Sequence, residues 1–289
     1  MSAEQNNLEI TGLSKGYSGF RLNNISFSVP QGCIMGLIGE NGAGKTTTLK
    51  LILNLIRRDA GSIKIFGMDN IKEERAIKEQ LGVVLDESCF HETLTAPNIA
   101  VIMGKIYKGS WDNGLYESYI HKFALPKDKT VKEYSRGMKM KLSIAAALAH
   151  HPRFLILDEA TSGLDPVVRS EILDVFFDFI QDEQHSILMS SHITSDLEKV
   201  ADYITFIHKG EIVLSEGKDT LLENHGVIKC GAGDLERLDK RDIVSVRNNG
   251  FSCEALTANK AEVQRRYPGL TVDNATLEDI MLFYVRGDR

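Results

Sequence analysis

Short apolar runs punctuated by glycine fill the first part of the chain. Residues 8–10 and 25–29 alternate apolar and polar positions with a period of two, set off by Gly12, Gly16, Gly19 and Pro30. That pattern predicts short antiparallel strands. The unbroken apolar run 33–38 predicts a buried strand, and a helix follows through Thr48, Leu49, Leu51, Ile52 and Leu55. Residues 61–67 predict another short strand, and 82–86 a buried one. From 95 to 150 the period becomes helical. Pro97 suits a first helical turn, where its missing N–H costs nothing, and Ile99, Ile102, Met103 and Ile106 repeat behind it. A second helix is predicted near 115–123, and a third from about Ser135 with Met138, Leu142, Ala145, Ala146 and Leu148.

Strand and helix then alternate: a strand at 154–157, a helix through Ile172, Val175, Phe176 and Phe179, and a strand at 186–190. Such alternation favours a mostly parallel sheet covered by helices. A hairpin at 203–207 and 211–214, turning at Lys209 and Gly210, closes this unit near Gly217. Residues 218–289 differ in style. The segments 242–247 and 251–256 flank Asn248, Asn249 and Gly250, a hairpin signal, with helical patterns before and after. The reading is an α/β domain over 1–217, with an antiparallel β part and an inserted helical part at about 90–150, plus a small α+β extension over 218–289. The extension carries no nucleotide or metal motif, which leaves a packing or dimerisation element, or a regulatory and partner-binding one.

A chain of 289 residues with 43% hydrophobic content can fill a sizeable core. The formal net charge of −6 argues against a nucleic-acid partner, since such proteins carry a basic face. No apolar run approaches the roughly 20 residues of a spanning helix, and residues 1–7 are polar, so a cytoplasmic location is expected. Cys33, Cys89, Cys230 and Cys253 lie far apart and form no CxxC pair, suggesting neither zinc nor disulfides.

Chemistry enters at Gly39, Glu40, Asn41, Gly42, Ala43, Gly44, Lys45, Thr46 and Thr47, which fit GxxxxGK[ST] directly after the strand at 33–38. Glycines let a backbone curl round a phosphate chain with its N–H groups inward, Lys45 adds a mobile positive charge, and Thr46 offers a hydroxyl to Mg²⁺. The helix beginning there aims its positive end at the phosphates. Further on, Asp158 and Glu159 end the strand at 154–157, where phosphate-binding folds gather ligands. With the loop upstream, Asp158 can hold Mg²⁺ through water and Glu159 can orient and deprotonate the attacking water.

Between these motifs lie Tyr134, Ser135, Arg136, Gly137, Met138 and Lys139, a segment that resembles the LSGGQ signature of ATP-binding-cassette (ABC) ATPases. Ser162 to Asp165 is similar to that family's D-loop, and Ser190, Ser191 and His192 to its switch histidine. The motifs, in family order, cover roughly residues 8 to 217. The resemblance implies a P-loop ABC cassette that binds ATP and Mg²⁺. It implies head-to-tail dimers, homodimeric or with a paralogous cassette, in which each ATP lies between one chain's phosphate loop and the other's signature. Ser135 with the N–H groups of Arg136, Gly137 and Met138 would then meet the partner's nucleotide, being too far along the fold to reach its own. His192 would sense the γ-phosphate, Asp165 would link the two sites, and Tyr17 would stack on adenine.

Two positions depart from the family pattern. Asp86, followed by Glu87, stands where a glutamine usually touches Mg²⁺ and relays to the membrane partner, and Arg136 replaces the first glycine of the signature. An aspartate still offers oxygen to the metal, with more charge and shorter reach. Arg136 can add positive charge near phosphate or point to solvent. The signature variant and single-cassette layout look like bacterial ABC-2-type exporter subunits, which implies a separate membrane permease docked on the helical block, with the chain peripheral to the membrane. The alternatives are a soluble ABC ATPase acting on ribosomes or DNA, and a cassette kept as a binding module, which intact Lys45, Asp158 and Glu159 disfavour.

Overall fold

A computed structural model describes residues 5–86, 89–235, 237–248 and 253–287. The chain opens with β1 (Asn6–Tyr17), β2 (Phe20–Pro30), β3 (Ile34–Ile38) and α1 (Lys45–Ile52). Then come β4 (Ala60–Ile65), β5 (Met68–Asp69), α2 (Glu74–Lys78) and β6 (Leu81–Val84). A helical block follows, with α3 (Ala96–Ile106), α4 (Asn113–Lys122) and α5 (Arg136–Leu148). Next are β7 (Phe154–Asp158), α6 (Pro166–Phe179), β8 (Ser186–Ser191), α7 (Thr194–Val200), β9 (Tyr203–His208) and β10 (Glu211–Gly217). The last part holds α8 (Lys218–Asn224), β11 (Gly226–Cys230), α9 (Ala232–Leu235), β12 (Ser245–Asn248), β13 (Cys253–Thr257), α10 (Lys260–Arg266), β14 (Thr271–Asn274) and α11 (Leu277–Arg286).

The central sheet has the order β10-β9-β3-β8-β7-β6, with β9, β3, β8, β7 and β6 parallel and β10 antiparallel at one edge. Strand β3, and β7 up to its final Asp158, are apolar runs because both faces are covered. Ile34 and Ile38 of β3, Leu155 and Leu157 of β7, and Ile187 and Met189 of β8 join one core with the helices. The residues between them, Met35, Leu37, Phe154, Ile156 and Leu188, join a second core with the antiparallel sheet β2-β1-β4-β5. A period of two with apolar residues at both phases is the mark of a strand buried on both sides. This mixed α/β architecture agrees with the fold class expected from sequence.

Several boundaries differ from the expectation. The strand expected at 8–10 runs from Asn6 to Tyr17. Gly12 does not end it but takes a φ of 61° at a shift of register between Ile10 and Leu13, so the strand bulges and continues. The first helix stops at Ile52, with Leu53 as its cap and Asn54 at a φ of 54°, so Leu55 falls outside it and is exposed. In α3, Ile99 is fully buried whereas Ile102 and Ile106 are exposed, so only part of its apolar repeat faces the core.

The extension forms its own antiparallel sheet, β12-β13-β11-β14, around a small core of Ile228, Cys230, Ala255 and Val263. β12 and β13 pair antiparallel, in register from Ser245 opposite Leu256. The expected turn at Asn249 and Gly250 lies outside the described residues. α11 packs back on the main core: Leu277, Ile280 and Phe283 join it, and the Leu277 N–H donates to Glu198 Oε1 at 2.7 Å.

Candidate nucleotide site

The loop after β3 supplies the floor of a cavity of about 740 Å³ at the ends of the parallel strands. Two glycines shape it. Gly44 sits at a φ of 117°, a conformation closed to other residues, and Gly39 packs so tightly on the Ile207 carbonyl that a Cβ would collide with it. Asn41, Gly42, Gly44, Lys45, Thr46 and Thr47 line the cavity, whereas Gly39 and Ala43 are buried beneath it. Lys45 opens α1 and is buried. Its ammonium donates to the carbonyls of Gly39 at 2.8 Å and Glu40 at 3.3 Å, and lies 3.3 Å from Glu159 Oε1.

Parallel pairing brings the ends of β7 and β8 beside the loop, with Asp158 opposite Ser190. Asp158 is buried and accepts from Ser190 Oγ at 2.6 Å and from Thr46 Oγ1 at 3.4 Å. Glu159 takes a φ of 52°, and its N–H donates to the Ser190 carbonyl at 3.1 Å. This turn swings its carboxylate off the sheet and into the cavity. There its second oxygen, Oε2, meets His192 Nδ1 at 2.6 Å. The carboxylate is thus held between an ammonium and an imidazole. Two partners fix its orientation more firmly than one.

A hydroxyl and a carboxylate at Thr46 and Asp158, with Asp86 facing the same recess, form a sparse set of oxygen donors. Mg²⁺ is held in this way when substrate phosphates and water fill its other positions. Among the described residues no group of three or more His, Cys, Asp or Glu forms a metal cluster. The donor set fits an ion that arrives with phosphate.

The ABC transporter family profile matches residues 22–162. The bacitracin transport ATP-binding protein BcrA of Bacillus licheniformis is 35% identical over 209 residues, covering 71% of this chain and 68% of its own. The lantibiotic transport ATP-binding protein SrtF of Streptococcus pyogenes is 36% identical over 221 residues, covering 73% of this chain and 91% of its own. The chain belongs to the ABC transporter family. It is an ATP-binding subunit of such a transporter, as the motifs led us to expect. A solved structure of an ATP-binding subunit of an ABC transporter superposes with a TM-score of 0.68 at 28% identity, over 75% of this chain and 92% of that one.

The remaining residues of the ABC pattern are distributed unevenly. Ser135 caps α5, its Oγ accepting from the Met138 N–H at 3.2 Å, and neither Ser135, Gly137 nor Met138 borders the cavity. Arg136 does border it, reaching across to Asp86 Oδ1 at 2.5 Å. Asp165 caps α6 through the N–H groups of Val167 and Val168, while Ser162 of the same turn reaches the cavity. Tyr17 stands at the outer end of β1, 48% exposed, and does not line the cavity. Its cross-strand neighbour Phe20 does.

Gly19, Phe20 and Ser190 are site residues that sequence reasoning passed over. Choosing between two aromatics on either side of a two-residue turn requires knowing which side of the strand faces the loop. Ser190 was visible only as a neighbour of His192. Its place opposite Asp158 follows from strand register, which the sequence does not print.

Proposed function

We propose that this chain is the Mg²⁺-dependent ATPase subunit of an exporter, with Glu159 as the base for the attacking water. The observation that carries the reading is Glu159, held by Lys45 at 3.3 Å and His192 at 2.6 Å over a phosphate-binding loop. Phosphate oxygens would replace the Gly39 and Glu40 carbonyls and Glu159 as partners of Lys45. That exchange frees the Glu159 carboxylate to accept a proton from water as the water oxygen attacks the γ-phosphorus and the bond to the β–γ bridging oxygen breaks. Thr46, Asp158 and Asp86 would hold Mg²⁺, which would supply charge compensation on the phosphates. His192 keeps its bond to the base and faces the γ-phosphate.

Under this reading the cassette comprises residues 1–217 and the extension 218–289. The signature at Ser135, Arg136, Gly137 and Met138 serves the nucleotide of a second cassette, either another copy or a paralogue, with Asp165 between the two sites. Adenine lies toward the outer end of β1 and β2. There the exposed Tyr17 and the cavity-lining Phe20 are the two rings available for stacking, worth about 1–3 kcal/mol per base in nucleic-acid systems. The exposed Val101, Ile102 and Ile106 on α3 give the helical block an apolar face for a separate membrane permease. The chain itself has no helix long and apolar enough to cross a membrane among the described residues. Export is favoured by the signature variant at 134–138 and the single-cassette layout, and the relatives named for bacitracin and lantibiotic transport fit a transporter.

Copurification tests the assembly. Glu159→Gln chain with Mg·ATP is expected to sediment as a dimer of cassettes and to capture a polytopic membrane protein when the two are coexpressed. A monomer that captures none, with ATP bound, would refute the transporter assembly.

A further inference from the structure

The two departures from the family pattern are partners of each other. Arg136 Nη2 donates to Asp86 Oδ1 at 2.5 Å, across 50 positions of sequence. Asp86 lies just past the end of β6, and Arg136 is the first residue of α5, so the bond ties the edge of the central sheet to the start of the signature helix. The guanidinium also lies against Gly163, where a Cβ would come within 3.2 Å of its Cζ. One side chain therefore touches two further segments around the site.

The pair is also a partition. On one side is the 740 Å³ nucleotide cavity. On the other is a second cavity of about 420 Å³ bounded by Phe90, Lys139 and Met140, and Asp86 and Arg136 line both. A third recess places Asp86 with Thr46, Asp158 and Glu159, on the side where a metal would sit. The Asp86 carboxylate thus has a guanidinium on one flank and the oxygen donors for a metal on the other.

We propose that the Arg136–Asp86 pair is a nucleotide-released latch: the guanidinium occupies Asp86 and lets it go when Mg·ATP enters. The proposal rests on reading the cavity as the ATP site. Both side chains are about half exposed, at 51% and 47%, so the pair is screened and exchangeable. A divalent ion arriving with phosphates offers Asp86 a stronger field than one guanidinium. Because the pair must open for binding, it opposes binding by what the closed pair contributes.

The test is a double-mutant cycle on the full chain, with Mg·ATP affinity measured by calorimetry for wild type, Arg136→Gln, Asp86→Asn and the double variant. Arg136→Gln is expected to tighten Mg·ATP by about two- to fivefold, the range for an exposed ion pair. In the Asp86→Asn background it should change nothing, and Arg136→Lys should fall between wild type and Arg136→Gln. Weaker binding by Arg136→Gln, or an equal shift in both backgrounds, would overturn the latch while leaving the ATP site in place. Identical binding by wild type and Lys45→Ala would instead overturn the ATP site, and the latch with it.

Discussion

The Glu159 carboxylate lies 3.3 Å from the Lys45 ammonium, so the base and the phosphate-binding lysine neutralise each other. Incoming phosphate must compete with Glu159 for that lysine. Glu159→Gln removes the competing charge and is expected to bind ATP at least as tightly as wild type. Lys45→Ala should lose most of the affinity. Calorimetry on the two variants reads both effects, and weaker binding by Glu159→Gln would mean that the carboxylate does not compete.

His192 holds the other oxygen of the same carboxylate at 2.6 Å. A hydrogen bond to a charged group is worth about 1.5–3 kcal/mol. If it orients the base in the transition state, His192→Ala should lower turnover by about 10–100-fold with a smaller change in ATP affinity. Steady-state phosphate release beside a binding isotherm separates these, and an affinity loss as large as the rate loss would assign His192 to binding alone.

Gly39 has no room for a side chain because the Ile207 carbonyl occupies the position of its Cβ. Gly39→Ala should push the loop off β9, destabilise the fold by about 1–3 kcal/mol, as overpacking does, and weaken ATP binding. Denaturant unfolding measures the first effect and calorimetry the second. Wild-type values for both would show that the loop yields freely.

His150 is buried, stacks on Tyr107 at 3.9 Å, and its Nε2 lies 2.9 Å from the Leu81 carbonyl, the geometry of a neutral imidazole donating N–H. Burial pushes its pKa below the ordinary value of 6.5. The unfolded chain then binds a proton that the folded chain refuses, so this contribution is complete above 6.5 and falls away as pH drops from there toward the lowered folded value. Thermal melts from pH 7.5 down to 5 should lose stability more steeply for wild type than for His150→Gln. Parallel curves would remove His150 as the cause.

Elements buried on both faces were legible because their pattern is local. Phe154, Leu155, Ile156 and Leu157 predict a strand without any knowledge of what covers them. The loop from Gly39 to Thr47 was legible for the same reason, since its chemistry is written in adjacent residues. What escaped was set by distance in sequence or by backbone shape. Gly12 looked like a strand end until its bulge was seen, and Asn54 stops α1 by taking a positive φ that its neighbours do not announce. Neither fate foreseen for Arg136, near phosphate or in solvent, included the partner 50 positions away. Tyr17 and Phe20 show the same limit at short range, because a turn decides which ring reaches the cavity.

Whether Glu159 drives ATP hydrolysis in this site is read most directly from steady-state phosphate release from Mg·ATP by wild type and Glu159→Gln at saturating nucleotide. Glu159→Gln is expected to bind ATP and lose about 10²–10⁴-fold in turnover, the usual contribution of a positioned base. Turnover at the wild-type rate by Glu159→Gln with ATP bound would contradict it.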